Sequence, residues 1–456
     1  MSSTTGAGEG GNLTVTAANS VSVSGSGSEP SGLFSTASST GNAGEVTVST
    51  PNLAMANGGT ISVATSGIGN AGNISLNVSE FTQTGGARVE SSTSGAGAGG
   101  TLGLTASELV SISGTGSGLF STAESTGNAG QITVTAPGSA PVPTLAMADG
   151  GKISVETLGA GSAGSILLNA NAFSLTGGSQ VVSSTSGSGQ GGSVTATATE
   201  SASFSGLDSG LLSTASSTGN AGQVTVSTPT LAMSNGGTIS VATFGAGNAG
   251  NVLLNANNFS LTGGAQIVSN TSGSGQGGSV TANAADSVSI SGQGSGVLSN
   301  ASGTGAGGTI NLQTAQLQIT DAGAVSANST GTATATAGNV NIVAGELVQM
   351  QNGSITTEST LADGGNISIT TTGSLVRLTD SQITTSVQSG VGSGGNITIG
   401  SEFVLFNNSQ IRADAFGGPG GNITIVADTF LPSNSVVSAS SALSTPGTIA
   451  IEATFT

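Results

Sequence analysis

The sequence predicts an all-β protein that folds as a single right-handed parallel β-helix, or β-solenoid, of about 15 turns. Glycine-led strand starts recur along the chain, and most of them lie 26 to 30 residues apart. Between these glycines, apolar and polar residues alternate in short segments, as in a strand with one buried face. A unit of this size cannot bury a core by itself, so neighbouring units must stack. Parallel crossovers are overwhelmingly right-handed, which gives the predicted hand.

One predicted turn is residues 72–99, GNISLNVSEFTQTGGARVESSTSGAGAG. Residues 74–76 alternate apolar and polar in a first short strand, and Phe81 begins a second one. The glycine pair at 85–86 forms a turn, and residues 87–89 alternate in a third strand. We therefore expect three short strands and three corners in every turn.

The turns are grouped by a longer repeat. Segments of the type STASSTGNAG recur at spacings of 86, 92 and 86 residues. Three turns thus form one superunit, repeated three times over residues 44–307, whereas residues 308–456 keep the turn but lose the superunit. We predict one continuous β-helix over residues 1–456 without a separate globular domain, a rod of roughly 70 Å at about 4.8 Å per turn. The predicted turns begin at Gly11, Gly44, Gly72, Gly100, Gly130, Gly164, Gly192, Gly222, Gly250, Gly278, Gly308, Gly338, Gly365, Gly395, Gly421 and Gly447.

Composition excludes several classes of function. The chain has 456 residues, of which 78 are Gly, and it contains no Cys, His, Trp or Tyr. Its net charge of −17 with four basic residues argues against nucleic acid and against an anionic membrane surface. The lack of Cys excludes disulfides and thiolate metal sites. No signal peptide follows Met1, and the first residues look like an inter-turn loop, so we expect a piece of a longer protein.

Strand alternation also predicts which side chains face inward. Phe81, Phe173 and Phe259 occupy one position of the superunit and are expected to fill the core. In the third strands, Glu90 is equivalent to Val182 and Val268, and a position that accepts Glu is expected to face outward. Val89, Val181 and Ile267 would then face inward.

The same phase predicts an outward apolar stripe, which we name the lateral strip. It places Leu33, Leu119, Leu211 and Val297 inward in the GLFSTA-type strands. The neighbouring residues then recur on the outside of every third turn, about 14 Å apart, as a contact for a partner domain or for a sister rod. Singly exposed apolar residues are also common on ordinary surfaces. The lateral strip consists of Phe34, Phe120, Leu212 and Leu298.

A structural corner of Asp and Asn residues is predicted before the third strand in the later turns. Asx side chains hydrogen-bond to local backbone and tolerate turn conformations, so they would stack as a ladder on one corner. This Asx corner consists of Asp321, Asn352, Asp380, Asn408 and Asn434.

Catalysis has one candidate constellation, Asp321 and Asp380 with Arg377. Two turns of stacking separate the carboxylates by roughly 10 Å, at the upper edge of the roughly 6.5–9.5 Å of inverting glycosidases. The chain has no Trp or Tyr as a sugar platform, and turn chemistry already explains both aspartates, so we predict no enzyme.

Metal and cofactor sites are not predicted either. Asp149-Gly-Gly and Asp363-Gly-Gly resemble only part of a calcium-binding nonapeptide repeat, and both are better explained as turns. No phosphate-binding GxxxxGK[ST] motif occurs. A short threonine array at 332–336 is typical of ice-binding surfaces but covers one stretch of a single turn.

The repeat segments resemble a known family. Three features carry the resemblance: the GGNITI-type strand starts, the second and third strands in FSLTGGAQIVSNTSG from Phe259, and the GNAG loops. They are similar to repeats of filamentous-haemagglutinin-like exoproteins of the two-partner secretion family, in particular cyanobacterial members. The resemblance covers essentially the whole chain. It implies a right-handed parallel β-helix, export of the parent protein through an outer-membrane secretion partner, and an extracellular or cell-surface location. The family's N-terminal secretion domain with its NPNG-type motifs has no counterpart here, since the chain contains no Asn-Pro.

The expected function is a non-catalytic, rod-like segment of a secreted adhesin, acting as a stalk or display scaffold, with a cell-surface glycan or protein as receptor. Two alternatives remain. One is a polysaccharide-active β-helix enzyme; the other is a surface-layer or biofilm matrix component that self-associates. Self-association could use the lateral strip, or the apolar residues Ile449, Ile451 and Phe455 near the C-terminus.

Overall fold

The computed structural model describes residues 1–25, 31–331, 335–373 and 375–456. The chain divides into two compact units, unit 1 at Met1–Pro229 and unit 2 at Thr230–Thr456. Both are parallel β-solenoids, and together they contain about 15 turns, which confirms the predicted all-β fold class. In the described part of the chain, the one helical segment is the 3-10 turn Pro137–Ser139, within the Pro-rich stretch that lengthens one turn. No described helix is long and apolar enough to cross a membrane.

Each turn of unit 1 passes through three parallel sheets, named first, second and third in chain order. The third-sheet strands are Ser2–Thr4, Gly32–Ala37, Thr60–Thr65, Arg88–Thr93, Gly118–Ala123, Lys152–Thr157, Gln180–Thr185 and Gly210–Ala215. Separate first-sheet strands are Leu13–Thr16, Val46–Ser49, Ile132–Thr135 and Val224–Ser227. Separate second-sheet strands are Ser20–Ser24, Asn52–Ala56 and Val142–Ala148. Strands that run through both sheets are Ile74–Gln83, Leu102–Ser113, Ile166–Thr176 and Val194–Ser205.

Each turn of unit 2 also passes through three parallel sheets, named in the same way. Its third-sheet strands are Thr238–Thr243, Gln266–Val268, Gly296–Leu298, Ala324–Ser326, Ser354–Thr356, Gln382–Thr384, Gln410–Arg412 and Val436–Ser438. Separate first-sheet strands are Ile367–Thr371 and Ile397–Gly400, and separate second-sheet strands are Thr230–Ser234, Leu375–Thr379 and Phe403–Asn407. Strands that run through both sheets are Val252–Thr262, Ser279–Ser291, Thr309–Thr320, Asn339–Gln351, Ile423–Ser433 and Ile449–Phe455.

These long strands differ from the three short strands expected per turn. In residues 102–113 the hydrogen-bonded ladder continues around the corner, with a register shift between Ala106 and Leu109. Ser107 and Glu108 lie opposite the single residue Ser79 of the preceding turn, so one extra residue is accommodated there as a bulge. A bulge bends a strand without ending it, so the corner does not need a separate turn.

The core follows the predicted phase. Val89, Val181 and Ile267 are fully buried. Ser91 and Thr93, the next inward residues of the strand that contains Val89, are buried as well. The predicted core phenylalanines Phe81, Phe173 and Phe259 have exposed fractions of 0%, 3% and 2%. Within unit 1, Phe173 packs edge-to-face on Phe204 of the next turn, with ring centroids 5.6 Å apart. The inward positions of the first and second sheets are mostly apolar, and the fully buried Gln83 is an exception whose Nε2 group donates to the carbonyls of Ala87 and Gly118.

On the third sheet the interior also contains hydroxyl groups, which the sequence analysis missed. Ser91 is fully buried, and its hydroxyl donates to the carbonyl of Gly72 at 2.9 Å. The same oxygen accepts the N–H of Gly100 at 2.9 Å. A Cβ on Gly100 would lie 2.0 Å from the Gly72 oxygen, which explains why glycine starts each turn. Equivalent serine-to-glycine bonds come from Ser35, Ser121, Ser183, Ser213, Ser269 and Ser299.

Candidate functional site

The Asx corner lies between the second and third sheets of unit 2. Its five residues have φ between 48° and 53°, in the left-handed region that Asp and Asn tolerate. The Nδ2 group of Asn408 donates to Oδ1 of Asp380 at 2.5 Å, and that of Asn434 donates to Oδ1 of Asn408 at 3.1 Å. Side chains one turn apart therefore bridge successive turns. The five residues are Asp321, Asn352, Asp380, Asn408 and Asn434.

The same corner conformation occurs in turns where the sequence analysis did not predict it. Asn57, Asp149 and Asp208 in unit 1 and Asn235 in unit 2 also have positive φ. A following Gly-Gly or Ser-Gly pair accompanies each of them and could have identified the corner. Glycine at positive φ replaces the Asx residue elsewhere, for example Gly85.

Asp321 and Asp380, the candidate catalytic carboxylates, both accept hydrogen bonds from side chains of neighbouring turns. Asn352 lies between Asp321 and Asp380 in the stack of turns, so two strand spacings separate the aspartates. Oδ2 of Asp321 accepts the Ser291 hydroxyl at 2.9 Å, whereas Asp380 accepts Asn408. Arg377 is exposed on the second sheet, beside the register partners Gln349 and Leu405. The described residues thus do not bring the guanidinium to the carboxylates as an ion pair.

Of the two predicted Asp-Gly-Gly turns, only the one at Asp149 is observed, and the prediction for Asp363 is wrong. Residues 363–365 have no turn conformation, because their backbone is extended and Gly364 donates its N–H to the carbonyl of Ser393 in the next turn. Asp149 has a φ of 54° and accepts the Ser113 hydroxyl at 3.1 Å. Asp363 accepts the backbone N–H of Ser393 at 2.7 Å. Across the described ranges, no group of three or more His, Cys, Asp or Glu residues is arranged to hold a metal ion. Of the threonine array, Thr332 and Thr334 lie outside the described residues.

The lateral strip has the predicted phase but is less exposed than expected. Leu119, Leu211 and Val297 are fully buried, as their inward assignment requires, while Leu33 is half-buried. The outward side chains of Phe34, Leu212 and Leu298 are also half-buried. The neighbouring outward Val182 is 7% exposed. An outward direction therefore does not leave these side chains free.

The prediction of an exposed ring at Phe120 is wrong, because only 9% of this residue is exposed. The Arg88 guanidinium lies 4.0 Å above the ring centroid, a cation–π contact. The ring also folds back over Gly118, where a Cβ would lie 2.8 Å from its Cζ atom. Glycine two residues earlier in the strand thus lets the aromatic side chain lie flat on the sheet, and arginine from the preceding turn covers it.

Around Phe120 lies a charged cluster on the third sheet of unit 1. Arg88 pairs with Glu90 at 2.9 Å, and Lys152 pairs with Glu156 at 2.6 Å. Burial alone would raise the pKa of Glu156, but hydrogen bonds from Lys152 and Ser154 and the positive charges of Lys152 and Arg88 outweigh it. The pKa of Glu156 is therefore lowered. The cluster holds two of the chain's four basic residues, and both are paired.

A groove in unit 2, which we name the corner groove, runs along the end of the third sheet. Its volume is about 380 Å³. The buried Thr243, Thr271 and Ala301 form its floor, and the exposed Phe244 stands at one end. Three asparagines on successive turns, which we name the asparagine row, form one wall: Asn270, Asn300 and Asn328.

The asparagine row replaces part of the backbone ladder. The N–H of Asn300 donates to Oδ1 of Asn270, and the N–H of Asn328 donates to Oδ1 of Asn300, both at 2.8 Å. Glu358 continues the pattern by donating its N–H to Asn328 at 2.8 Å. The amide oxygens thus take the place of backbone carbonyls, and the third-sheet strands end early, as Gln266–Val268 does. The sequence signal is Asn recurring 28 to 30 residues apart in this position.

Two grooves of unit 1 provide comparisons. The equivalent of the corner groove, about 350 Å³, is lined by hydroxyl and small side chains with Glu124, and no aromatic residue is among its described lining residues. A larger groove of about 450 Å³ lies beside the first sheet, where Asn42 and Asn70 accept backbone N–H groups of the next turn. Glu9 and Glu45 line it, again without an aromatic residue. The corner groove of unit 2 is therefore distinguished by Phe244 beside the asparagine row.

Comparison of the chain with protein-family models, with curated proteins and with solved structures finds no match.

Proposed function

We propose that this chain is a non-catalytic structural segment of a secreted or cell-surface adhesin, in which it acts as a stalk or display scaffold for adhesion. The observation that carries the proposal is the constancy of the turn within each unit. Ile74 pairs with Leu102, and Leu102 pairs with Ile132, so each inward position stacks on its equivalent. A repeat that contacts only its neighbours can be added or removed without redesigning the core.

The polar side chains support the same proposal. The Asx corner, the buried serines and the asparagine row all make hydrogen bonds from one turn to the next. These are the contacts that a stack of turns needs for its own stability, since they satisfy backbone groups at corners where the sheet ladder is interrupted. The similarity of the strand starts and loops to filamentous-haemagglutinin-like exoproteins supports the extracellular location and the secretion partner of the parent protein.

The test measures whether the distance between two spin labels on unit 1 depends on the number of turns between them. The chain contains no cysteine, so spin labels can be attached at Ser38→Cys and Ser216→Cys alone. Both serines are exposed and lie six turns apart in one column of backbone hydrogen bonds. Electron paramagnetic resonance should give a separation of about 29 Å, and deletion of residues 74–101 should shorten it by about 4.8 Å. The deletion joins Asn73 to Leu102, which keeps the strand register.

A matched control is deletion of residues 75–101, which makes Ile74 and Leu102 consecutive so that one of them must point outward. This variant should melt at a lower temperature than the in-register deletion. A distance that does not shorten in steps of one turn would contradict the scaffold proposal. Release of reducing ends from a panel of polysaccharides, lost in Asp380→Asn, would support the enzymatic alternative instead.

A further inference from the structure

The asparagine row has amide donors that its structural role does not use. A backbone N–H can only donate, so the side-chain atom facing it in Asn270, Asn300 and Asn328 must be Oδ1. Within the described residues, the Nδ2 groups of the row donate no hydrogen bond to protein. The three side chains are half-buried, and their amides line the corner groove. Fixing Oδ1 therefore leaves three NH₂ groups spaced by one turn along the groove wall.

Phe244 adds an apolar platform at the end of this row. It is 61% exposed, and it is one of 12 phenylalanines in a chain without Trp or Tyr. The positions that follow it in the stack, Ser272, Ser302 and Thr330, carry exposed hydroxyls along the opposite wall. The groove thus presents an exposed aromatic ring, a row of amide donors and a row of hydroxyls, and none of the described residues that line it is charged.

We propose that the corner groove binds a neutral linear polysaccharide lying along the stacking direction of unit 2. A sugar ring has apolar C–H faces and polar hydroxyl edges. One ring would stack on Phe244, while the following rings would receive hydrogen bonds from Asn270 and Asn300. Successive turns are about 4.8 Å apart, close to the length of one pyranose unit, so each turn meets one sugar. This inference rests on the proposed function and specifies the receptor of the segment as a glycan.

The negative net charge of the chain favours a neutral ligand over an anionic one. The net charge of −17 repels polyanions such as uronates and nucleic acids, and none of the four basic residues lines the groove. Amides and hydroxyls match the uncharged hydroxyl groups of a neutral glycan, with no buried charge left unpaired.

Isothermal titration calorimetry on the full chain tests the proposal with three neutral hexasaccharides, cellohexaose, laminarihexaose and mannohexaose, and with hexagalacturonate as the anionic probe. We expect binding of at least one neutral hexasaccharide, at least about tenfold weaker binding of its disaccharide, and no binding of hexagalacturonate. Phe244→Ala should weaken binding at least about tenfold. Asn300→Asp keeps the acceptor oxygen but removes the NH₂ donors, so it should also weaken binding by about tenfold.

Two matched variants control for nonspecific effects. Phe416→Ala removes another exposed phenylalanine of unit 2 that does not line the groove, and Asn396→Asp changes a ladder asparagine whose Oδ1 accepts Asn422 N–H at a different corner. Both should bind as the unmodified chain does, and circular dichroism should show all four variants folded. Absence of binding by every neutral probe, preference for hexagalacturonate, or binding unchanged in Phe244→Ala and Asn300→Asp would overturn the proposal. The label distances in unit 1 would be unaffected by any of these results, so failure here is distinct from failure of the scaffold function.

Discussion

At the residue scale, buried serine hydroxyls explain how the backbone N–H and carbonyl groups at the glycine-rich corners obtain hydrogen-bond partners. Ser91 both donates to Gly72 and accepts from Gly100, and it has no exposed surface. The glycines bring successive turns too close together for a Cβ, which leaves backbone groups at the corner that no regular ladder reaches. A small side chain with both hydrogen-bonding functions fits this place.

Replacement of Ser91 by Ala should therefore lower the free energy of unfolding by about 1–3 kcal/mol, because a buried carbonyl and a buried N–H lose their partner. Urea denaturation followed by circular dichroism measures the change. Ser92→Ala alters the adjacent, outward residue of the same strand and should have little effect. Equal stability of the two variants would show that the Ser91 hydroxyl is not needed at the corner.

The core aromatic residues give a second prediction at this scale. Phe173→Ala should cost about 3–5 kcal/mol, since the ring is buried and its edge-to-face contact with Phe204 is lost. Hydrogen exchange should show the loss concentrated in neighbouring turns, because repeat arrays can open locally. Phe244→Ala, at an exposed position, is the control and should melt like the unmodified chain. Similar melting of both variants would contradict the core assignment.

The lowered pKa of Glu156 predicts how stability depends on pH. A carboxyl group whose pKa is lower in the folded state stabilises the fold above its unfolded pKa, about 4.3 for Glu, and this contribution is lost as the pH falls through the folded pKa. Thermal melting between about pH 5 and pH 2 should therefore fall less steeply in Glu156→Gln. Glu124→Gln, at an exposed position one turn away, should keep the slope of the unmodified chain. An identical slope in Glu156→Gln would contradict the assignment.

At the scale of elements, the corners rather than the strands vary between turns. The second-to-third-sheet corner is held by Asx residues in later turns and by glycine in several earlier ones. Both solutions meet the same requirement of a positive φ, but only the Asx side chain can also bond to a neighbouring turn, as Asn408 does to Asp380. The ladder thus adds stacking contacts where the regular superunit has ended.

Asn408 allows these two contributions to be separated. Asn408→Ala should cost about 1–2 kcal/mol, mostly because alanine is strained at a φ of 49°. Asn408→Gly removes the strain but still loses the bond to Asp380, so it should cost less. Chemical denaturation measures both, with Asn407→Ala, at the end of the adjacent strand, as the control. Greater loss in the glycine variant than in the alanine variant would contradict this account.

At the scale of the whole molecule, charge is the dominant surface property. The chain carries 21 acidic and four basic residues, and the described part has three ion pairs, at Arg88, Lys152 and Arg412. Most carboxylates therefore lack a cationic partner. Like charges repel in the compact state more than in the expanded unfolded chain.

Salt should therefore stabilise this protein. Raising sodium chloride from about 10 mM to about 150 mM shortens the Debye length from roughly 30 Å to roughly 8 Å and should raise the melting temperature. Sucrose at matched osmolality controls for general solute effects. A melting temperature that falls with salt would show that the few ion pairs outweigh the repulsion.

The sequence by itself determined the period, the phase and the fold class. Glycine marks places where no Cβ fits, and alternation has a fixed period of two, so Val89, Val181 and Ile267 could be assigned inward without coordinates. The five predicted Asx corner residues of unit 2 were also readable, because turn conformations favour few residue types, whereas the equivalent corners at Asn57, Asp149, Asp208 and Asn235 were not predicted.

Tertiary structure decided what depends on residues from other turns. Phe120 points outward as its phase requires, yet Arg88, 32 residues earlier, covers it. The corner groove exists because Phe244 and the asparagine row meet across turns 26 to 30 residues apart. Periodicity within one strand gives the direction of a side chain, whereas its exposure and its neighbours are set by the stacking of turns, which local alternation does not encode.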